Sequence, residues 1–493
     1  MMHKKSRACT LALCLLNAAW ILAPFGSAAE PKWSDLVDGE SHVLSTQGSE
    51  RGTQGAGSKI VTFDGKTHIV WQDSTAKGYF ARVRSFDQKT DSWSATLTLG
   101  EGADNHARPT ITVDSRGHLH VIIGGHHTGL QYIKSVRPND AREWTEVEKF
   151  GHTTYPVLVC GPGDTLYLTG RHDKNWAGMD FYVKPPNKPW NHRGLLVKKS
   201  TQYEWYAGYQ NNLAWGPGQK TLHAGVGFYM GQESPNWGKP GPQLDMTGLY
   251  QAVGYMRSED LGKTWERSDG SPIELPATTE TIDMIAEGSR DPEAHDKPKP
   301  AIKFQGLAVD SSNLPYLVYI RHTPDPGRAF LCTPDGKGAW RQLPLQAALD
   351  KHYPGMAAIE CEVSITEENL LVFVFILVPI DYPAANWRPG LGGLPDYWTR
   401  DHPEAQRIAW MESSDGGHSW RTRRVAPEFQ ALTKKLPNEE KPGTLMPTLE
   451  RPTGFNQISP FGPSLLYSIG LFRYTKKDEV IDDDVVWLRP RWQ

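Results

Sequence analysis

The chain has 493 residues, room for about three domains of average size or for one large repeat array. With 53 Lys and Arg against 56 Asp and Glu it carries no basic excess for nucleic acid, and 22% charged with 38% apolar residues excludes a disordered chain. No internal apolar run reaches the roughly 20 residues of a membrane helix, while 47 Gly and 37 Pro imply many tight turns.

The first elements are a targeting signal. Lys4, Lys5 and Arg7 precede an apolar stretch from Ala8 to Phe25, and Ser27-Ala28-Ala29 supplies the small residues of a cleavage site. An uncleaved anchor is the alternative, because the apolar run is long; a lipoprotein site at Cys14 is disfavoured by the bulk of Leu13. Residues 1–29 are expected to be removed, leaving residues 30–493 as a single domain, secreted or periplasmic. Its cysteines, Cys160, Cys332 and Cys361, are odd in number and far apart. They read as buried and inert, although one bridge or one thiol-rich structural metal site with a histidine such as His322 stays open.

From there a unit recurs: a short β-branched strand, a turn with Gly or Asp, and a second strand. Copies run from Lys59 to Gln72, Arg108 to Ile123, Tyr155 to Gly170, Asn211 to Phe228 and Phe304 to Ile320, with weaker copies from Ala357 to Leu377 and Gln457 to Phe472. Ser258-Glu-Asp-Leu-Gly-Lys-Thr-Trp265 and Ser413-Ser-Asp-Gly-Gly-His-Ser-Trp420 both fit S-x-D-x-G-x-x-W, the Asp-box turn whose Asp bonds turn amides and whose Trp packs between sheets. Such radial repetition predicts an all-β, seven-bladed β-propeller with long inter-strand loops and no helix of useful length. At about 66 residues per blade, against roughly 40–50 in compact propellers, the excess falls in loops from Gly231 to Thr247, Ala286 to Lys299 and Pro379 to Gln406. Val485-Val486-Trp487 is the candidate strand for closing the ring.

Histidines carry the chemical signal. Five lie between residues 106 and 127, namely His106, His118, His120, His126 and His127. His118 and His120 share a strand face, a metal-pair spacing, but His120 matches His68, Tyr167 and His223 in the other copies and reads as structural. His106 and His126 have no such counterparts. In a propeller the start of a blade's first strand and the end of its second lie on one rim. His106 precedes one first strand and His126 closes the following one; Tyr155 and Arg171 take these places in the next copy, with Asn175 just beyond. Rim residues that only satisfy one another's hydrogen bonds are the bland alternative.

This set suits elimination across C4–C5 of a uronic acid. The carboxylate beside the leaving proton must be neutralised, which a fixed Arg with an amide donor achieves without metal. A His or Tyr takes the C5 proton and a second donor assists departing O4. A tyrosine phenol titrates near about 10, so a neighbouring cation such as Arg171 is needed if Tyr155 is the base.

Asn105-His-Ala-Arg-Pro-Thr-Ile-Thr-Val-Asp114, Gly117-His-Leu-His-Val121, Gly125-His126 and Tyr132-Ile-Lys-Ser135 resemble the BNR-repeat family that includes propeller polysaccharide lyases, the ulvan lyases most of all. The resemblance implies His106 and Tyr155 as the acid/base pair, His126 in support, and Arg171, with Asn175, neutralising the uronate; Arg108, His127 and Tyr209 are candidate substrate contacts. It implies no cofactor for catalysis and an acidic poly- or oligosaccharide as partner, with no nucleic acid, no membrane and a monomer. Related enzymes that hydrolyse rhamnosyl-glucuronate use a first-blade His, where Arg51-Gly-Thr-Gln-Gly55 shows Gln54. Sialidases need an N-terminal Arg-Ile-Pro type motif that is missing. A non-catalytic glycan-binding propeller is the rival from another class. Loop aromatics Trp387, Tyr397, Trp398, Tyr229 and Trp237 are candidate sugar platforms, and Asp482-Asp483-Asp484 reads as a solvated charge run before it reads as a calcium site.

Overall fold

Each strand's alternation decides which neighbour it packs on. Along Leu371–Pro379, Leu371, Phe373, Phe375 and Leu377 enter one core cluster, while Val372 and Val374 enter another on the opposite face. A strand buried on both faces reads as an unbroken apolar run, and its sheet is sandwiched between two others.

The computed structural model describes residues 39–49, 51–55, 57–172, 178–198, 206–231, 248–288, 302–321, 327–380, 406–425, 443–459, 462–470 and 483–491. The expected export signal, Asn175, His322, Asp482, Trp237, Trp387, Tyr397, Trp398 and most of the three long loops lie outside the described residues. Tyr209 and Tyr229 lie in described strands, but their side chains do not belong to the described set.

The described residues form six antiparallel sheets and almost no helix, the α-helix Gln346–Asp350 being five residues long. Sheet A has nine strands: Gly443–Leu449, Leu465–Gly470, Asp483–Pro490, Gly39–Gly48, Lys66–Thr75, Gly78–Asp87 and Ser92–Trp93 in spatial order, with Ile60–Phe63 and Leu97–Gly102 on its flanks. Sheet B holds Thr110–Val113, Leu119–Ile123, Leu130–Lys134 and Glu148–Phe150; sheet C holds Thr153–Gly161, Thr165–His172, Gly178–Lys184 and Asn191–Lys198. Sheet D starts with Tyr206–Trp215, Leu222–Gly231 and Gly248–Ser258; sheets E and F run from Ile302–Val309 to Trp340–Pro344 and from Met356–Ile365 to Arg421–Arg424. Consecutive sheets share cores in chain order. Val61 and Val83 of A meet Val121 of B; Ile122 of B meets Leu158 of C; Val159 of C meets Leu213 of D. Tyr255 of D meets Leu317 of E, Val318 of E meets Phe373 of F, and Val374 of F meets Tyr467 of A.

The first and last described strands meet inside sheet A. Asp483–Pro490 pairs antiparallel with Gly39–Gly48, so the strand expected around Val485-Val486-Trp487 does take a closing position. Trp487 is fully buried against His42, Phe86 and Trp93. Arg489 donates to Glu40 at 2.9 Å across the seam.

Both Asp-box turns form as expected. Asp260 accepts from the amides of Lys263 and Thr264 at 3.1 and 2.8 Å, and Asp415 from that of Ser419 at 2.8 Å. Trp265, 2% exposed, packs edge-on against Phe181 of sheet C at 5.9 Å, so the turn in D is bolted to its neighbour. The repeated histidines are structural. His120 bonds Tyr132 at 2.7 Å; His223 bonds Tyr255 at 2.6 Å and, across to sheet E, Asn313 at 3.0 Å; His68 bonds Ser85 and, across to sheet B, Asn139 at 2.7 and 2.8 Å. His118 bonds the Ser135 carbonyl at 3.0 Å. Cys160, Cys332 and Cys361 are buried free thiols, with burial raising all three pKa values.

Four expectations need correction. The last copy begins at Gly443–Leu449, not near Gln457, because Pro447 and a register shift between Leu445 and Thr448 disguise that strand. The sheet B strands are Thr110–Val113 and Leu119–Ile123, so Arg108 lies before the first, and His126 lies three residues past the second rather than closing it. Glycines at positive φ, Gly124 at +91° and Gly125 at +87°, break the ladder there. Asp483 is 2% exposed and sits within a strand, not in a solvated run.

Candidate active site

The site forms where the ends of sheets B and C converge. Tyr155 is the third residue of Thr153–Gly161, and Arg171 faces Thr154 in the ladder with Thr165–His172. The register slips between Thr154 and Val157, and Tyr155 takes a positive φ of +56°, rare for a bulky residue. Its amide donates to the Gly125 carbonyl at 2.9 Å, tying the bulge to the loop that carries His126. Gly125 has no room for a side chain: a Cβ there would lie 2.8 Å from Pro156 Cδ. His127 follows at φ +52°, with its amide on Thr154 Oγ1 at 3.3 Å.

Four of the expected residues form one constellation. The His106 and His126 rings stack with centroids 4.2 Å apart and 20° between planes. The Tyr155 ring lies 6.2 Å from His106 and 6.1 Å from His126. The Arg171 guanidinium carbon is 4.9 Å from the centre of the Tyr155 ring, and that of Arg108 is 5.1 Å from it. Arg171 and Arg108 are buried, at 3% and 7% exposed, whereas His106, His126 and Tyr155 keep part of their surface open. His127, exposed, lies 4.4 Å ring to ring from His126. Tyr209 falls between Gly208 and Gln210, where the first strand of sheet D slips register as that of sheet C does at Tyr155.

Sequence reasoning missed Asp104. Its Oδ2 lies 2.5 Å from His126 Nδ1, its Oδ1 accepts the His106 amide at 2.8 Å, and the same oxygen is 3.6 Å from His106 Nδ1. The signal was local: Asp two residues ahead of a turn amide is an Asx turn, in Asp104-Asn-His106. Gln54 was also missed as a partner; it accepts from Arg108 and, at 3.3 Å, from Arg51.

Electrostatics sharpen the picture. Burial, aided by the positive charges of Arg51 and Arg108, pushes the His106 imidazole down to about 3 against the pull of Asp104. Burial also opposes the charge on Asp104, but the two histidines outweigh it and hold that carboxyl well below the usual range. Next to Arg108, burial drives the Lys59 ammonium well below its ordinary value, while Glu362 is raised to about 7. The guanidinium groups of Arg108 and Arg171 beside the Tyr155 ring are the fixed positive charges of the site, a setting for an anionic ligand. Among the described residues, Asp104, His106 and His126 are the one group with donor atoms close enough for a metal ion, within 4.8 Å. Their contacts are those of a hydrogen-bonded pair and need no ion to explain them.

The fold is one that carbohydrate lyases use. The chain matches a solved PL25 ulvan lyase with a TM-score of 0.61 and 14% identity, over 90% of this chain and 95% of the other. The same enzyme family bound to -[GlcA(1-4)Rha3S]- gives a TM-score of 0.63 at 13% identity over the same shares, and the polysaccharide lyase Uly1 gives 0.56 at 12%, over 91% and 98%.

The chain belongs to the BNR repeat-containing family, whose model matches residues 66–348, more than half of it. It is similar to an ulvan lyase of Pseudoalteromonas sp. (strain PLSV), 26% identical over 137 residues, which are 22% of this chain and 27% of the relative. An ulvan lyase of Nonlabens ulvanivorans is 26% identical over 141 residues, 23% of this chain and 29% of that one. The aligned segments thus span under a third of these relatives' length.

Proposed function

We propose that this protein is an exported polysaccharide lyase that cleaves a uronic-acid-containing, rhamnose-bearing glycan of the ulvan type by β-elimination, on a seven-bladed propeller formed by residues 30–493. The blade count rests on sheet A. Its Gly39–Gly48 and Lys66–Thr75 strands share one register pair, Gly48 with Asp73, and cutting there leaves two units of about four strands beside sheets B to F.

The observation that carries the reaction is the convergence of a stacked His106–His126 pair, Tyr155 and the buried Arg171 at one edge. In this reading the substrate carboxylate lies on Arg171, which offsets the charge that grows as the C5–H bond breaks. The bonding pair becomes the C4=C5 double bond, the C4–O4 bond breaks, and O4 leaves with a proton. Neutral His106 has a lone pair for the C5 proton, and in this reading the Tyr155 hydroxyl serves O4; the exchanged assignment uses the same two groups. His126 supports His106, while Asn175, Arg108, His127 and Tyr209 are assigned to glycan binding, and no metal takes part. The protein works as a monomer. The ulvan lyases with which it shares a fold, one of them bound to a glucuronate–rhamnose sulfate unit, support the substrate class.

Incubation with a panel of uronate polysaccharides tests this. Elimination raises ultraviolet absorbance as the C4=C5 bond forms. Reducing ends without absorbance would mean a hydrolase; binding with neither signal would mean a glycan-binding propeller.

A further inference from the structure

We propose that Asp104 is a positioning residue that fixes His126 as its Nδ1–H tautomer and so leaves Nε2 as the nitrogen offered to substrate. The role builds on the lyase reading, yet its structural content stands apart from it. Asp104 is anchored three ways. Its Oδ1 takes the His106 amide at 2.8 Å, and its carbonyl takes the Ala107 amide at 3.1 Å and the Gln72 amide group at 3.0 Å. Gln72 is fully buried and also donates to the Ala107 carbonyl at 3.2 Å, so the turn is clamped from the core. Oδ2 is therefore held in place at 2.5 Å from His126 Nδ1.

An ionised carboxylate only accepts hydrogen bonds, so the hydrogen in this contact sits on the imidazole. A neutral imidazole with Nδ1–H has its lone pair on Nε2. His106 has no equivalent contact, its Nδ1 being 3.6 Å from Asp104, beyond hydrogen-bond length. The stack at 4.2 Å then lets a ring of fixed orientation back His106. Carboxylates that orient a catalytic histidine elsewhere act by the same control of tautomer and plane.

Asp104→Asn makes the test sharp. The Asn Oδ1 can keep the His106 amide, which preserves the turn and points the NH2 group at His126. That group donates, so Nδ1 must accept and the hydrogen moves to Nε2. Protein labelled with 15N in its histidine rings, with His126 assigned through His126→Gln, reads this directly by NMR at neutral pH without substrate. The wild type is expected as Nδ1–H, Asp104→Asn as Nε2–H, and Asp104→Glu, which keeps an acceptor-only carboxylate, as Nδ1–H. On a glycan that the wild type cleaves, Asp104→Asn should lower kcat by about 10²-fold or more while KM moves by less than about threefold. An Nε2–H wild type, or an Asn variant with unchanged tautomer, overturns the proposal. If no glycan yields an unsaturated product the lyase reading fails, and the tautomer still decides the role of Asp104.

Discussion

His106 is kept uncharged by its surroundings, and this ties stability to pH in a defined direction. Its imidazole titrates at about 3 in the fold against 6.5 when free, and its side chain is only 14% exposed. As pH falls below the free value, the unfolded chain binds a proton that the folded chain refuses. This residue's contribution is therefore full above about pH 6.5 and is lost as pH falls toward 3. One proton is worth about 1.4 kcal/mol per pH unit, so the loss from about pH 6 to about 4.5 comes to about 2 kcal/mol. Asp104 stays ionised across that window. Glu362 and Glu450, each raised by burial to about 7, act in the opposite sense, their contribution being lost as pH rises. They titrate alike in wild type and in His106→Gln and cancel in the difference. Urea unfolding of both proteins at the two pH values should show the wild type's advantage shrinking by about 2 kcal/mol at the acid end. An advantage that is constant, or that grows in acid, would refute a neutral His106 and with it a free lone pair for proton abstraction.

Tyr155→Phe should lower turnover by about 10²-fold or more with an unchanged melting temperature, since only a hydroxyl is removed; near-wild-type kcat, measured by ultraviolet absorbance, would remove Tyr155 from proton transfer. Arg171→Lys keeps the charge but loses the planar fork, so kcat should fall by more than KM rises; a rise in KM alone would make Arg171 a binding residue only. Trp265→Ala empties the D–C seam against Phe181 and should cost about 3–5 kcal/mol in urea unfolding; a loss under 1 kcal/mol, on the order of a surface change, would mean the Asp-box Trp is not a seam residue.

Hairpin repetition and Asp boxes were legible because both depend on local pattern: alternation sets strand faces, and Asp260 and Asp415 satisfy amides within their own turns. The meeting of His106, His126, Tyr155 and Arg171 was legible as well, since adjacent hairpins bring equivalent positions to one edge. Its fine structure was not. His126 reaches the site from a glycine turn beyond its strand, and Tyr155 through a bulge, neither of which alternation reveals. Asp104 was hidden because an Asx turn explains an aspartate fully from local sequence, while its second oxygen serves a histidine 22 residues on. The strand Gly443–Leu449 was missed because Pro447 argues against a strand and a bulge is what accommodates it.

Product mass is the most direct measure of whether these residues perform an elimination. Digestion of a rhamnose–uronate polysaccharide, followed by mass spectrometry of the shortest oligosaccharides, should give fragments ending in an unsaturated uronate, one water lighter than their hydrolytic counterparts. The Arg171→Lys variant should give the same fragments more slowly. Fragments that have gained water would contradict the account at its centre, because they require attack by water where the account has only a proton removed.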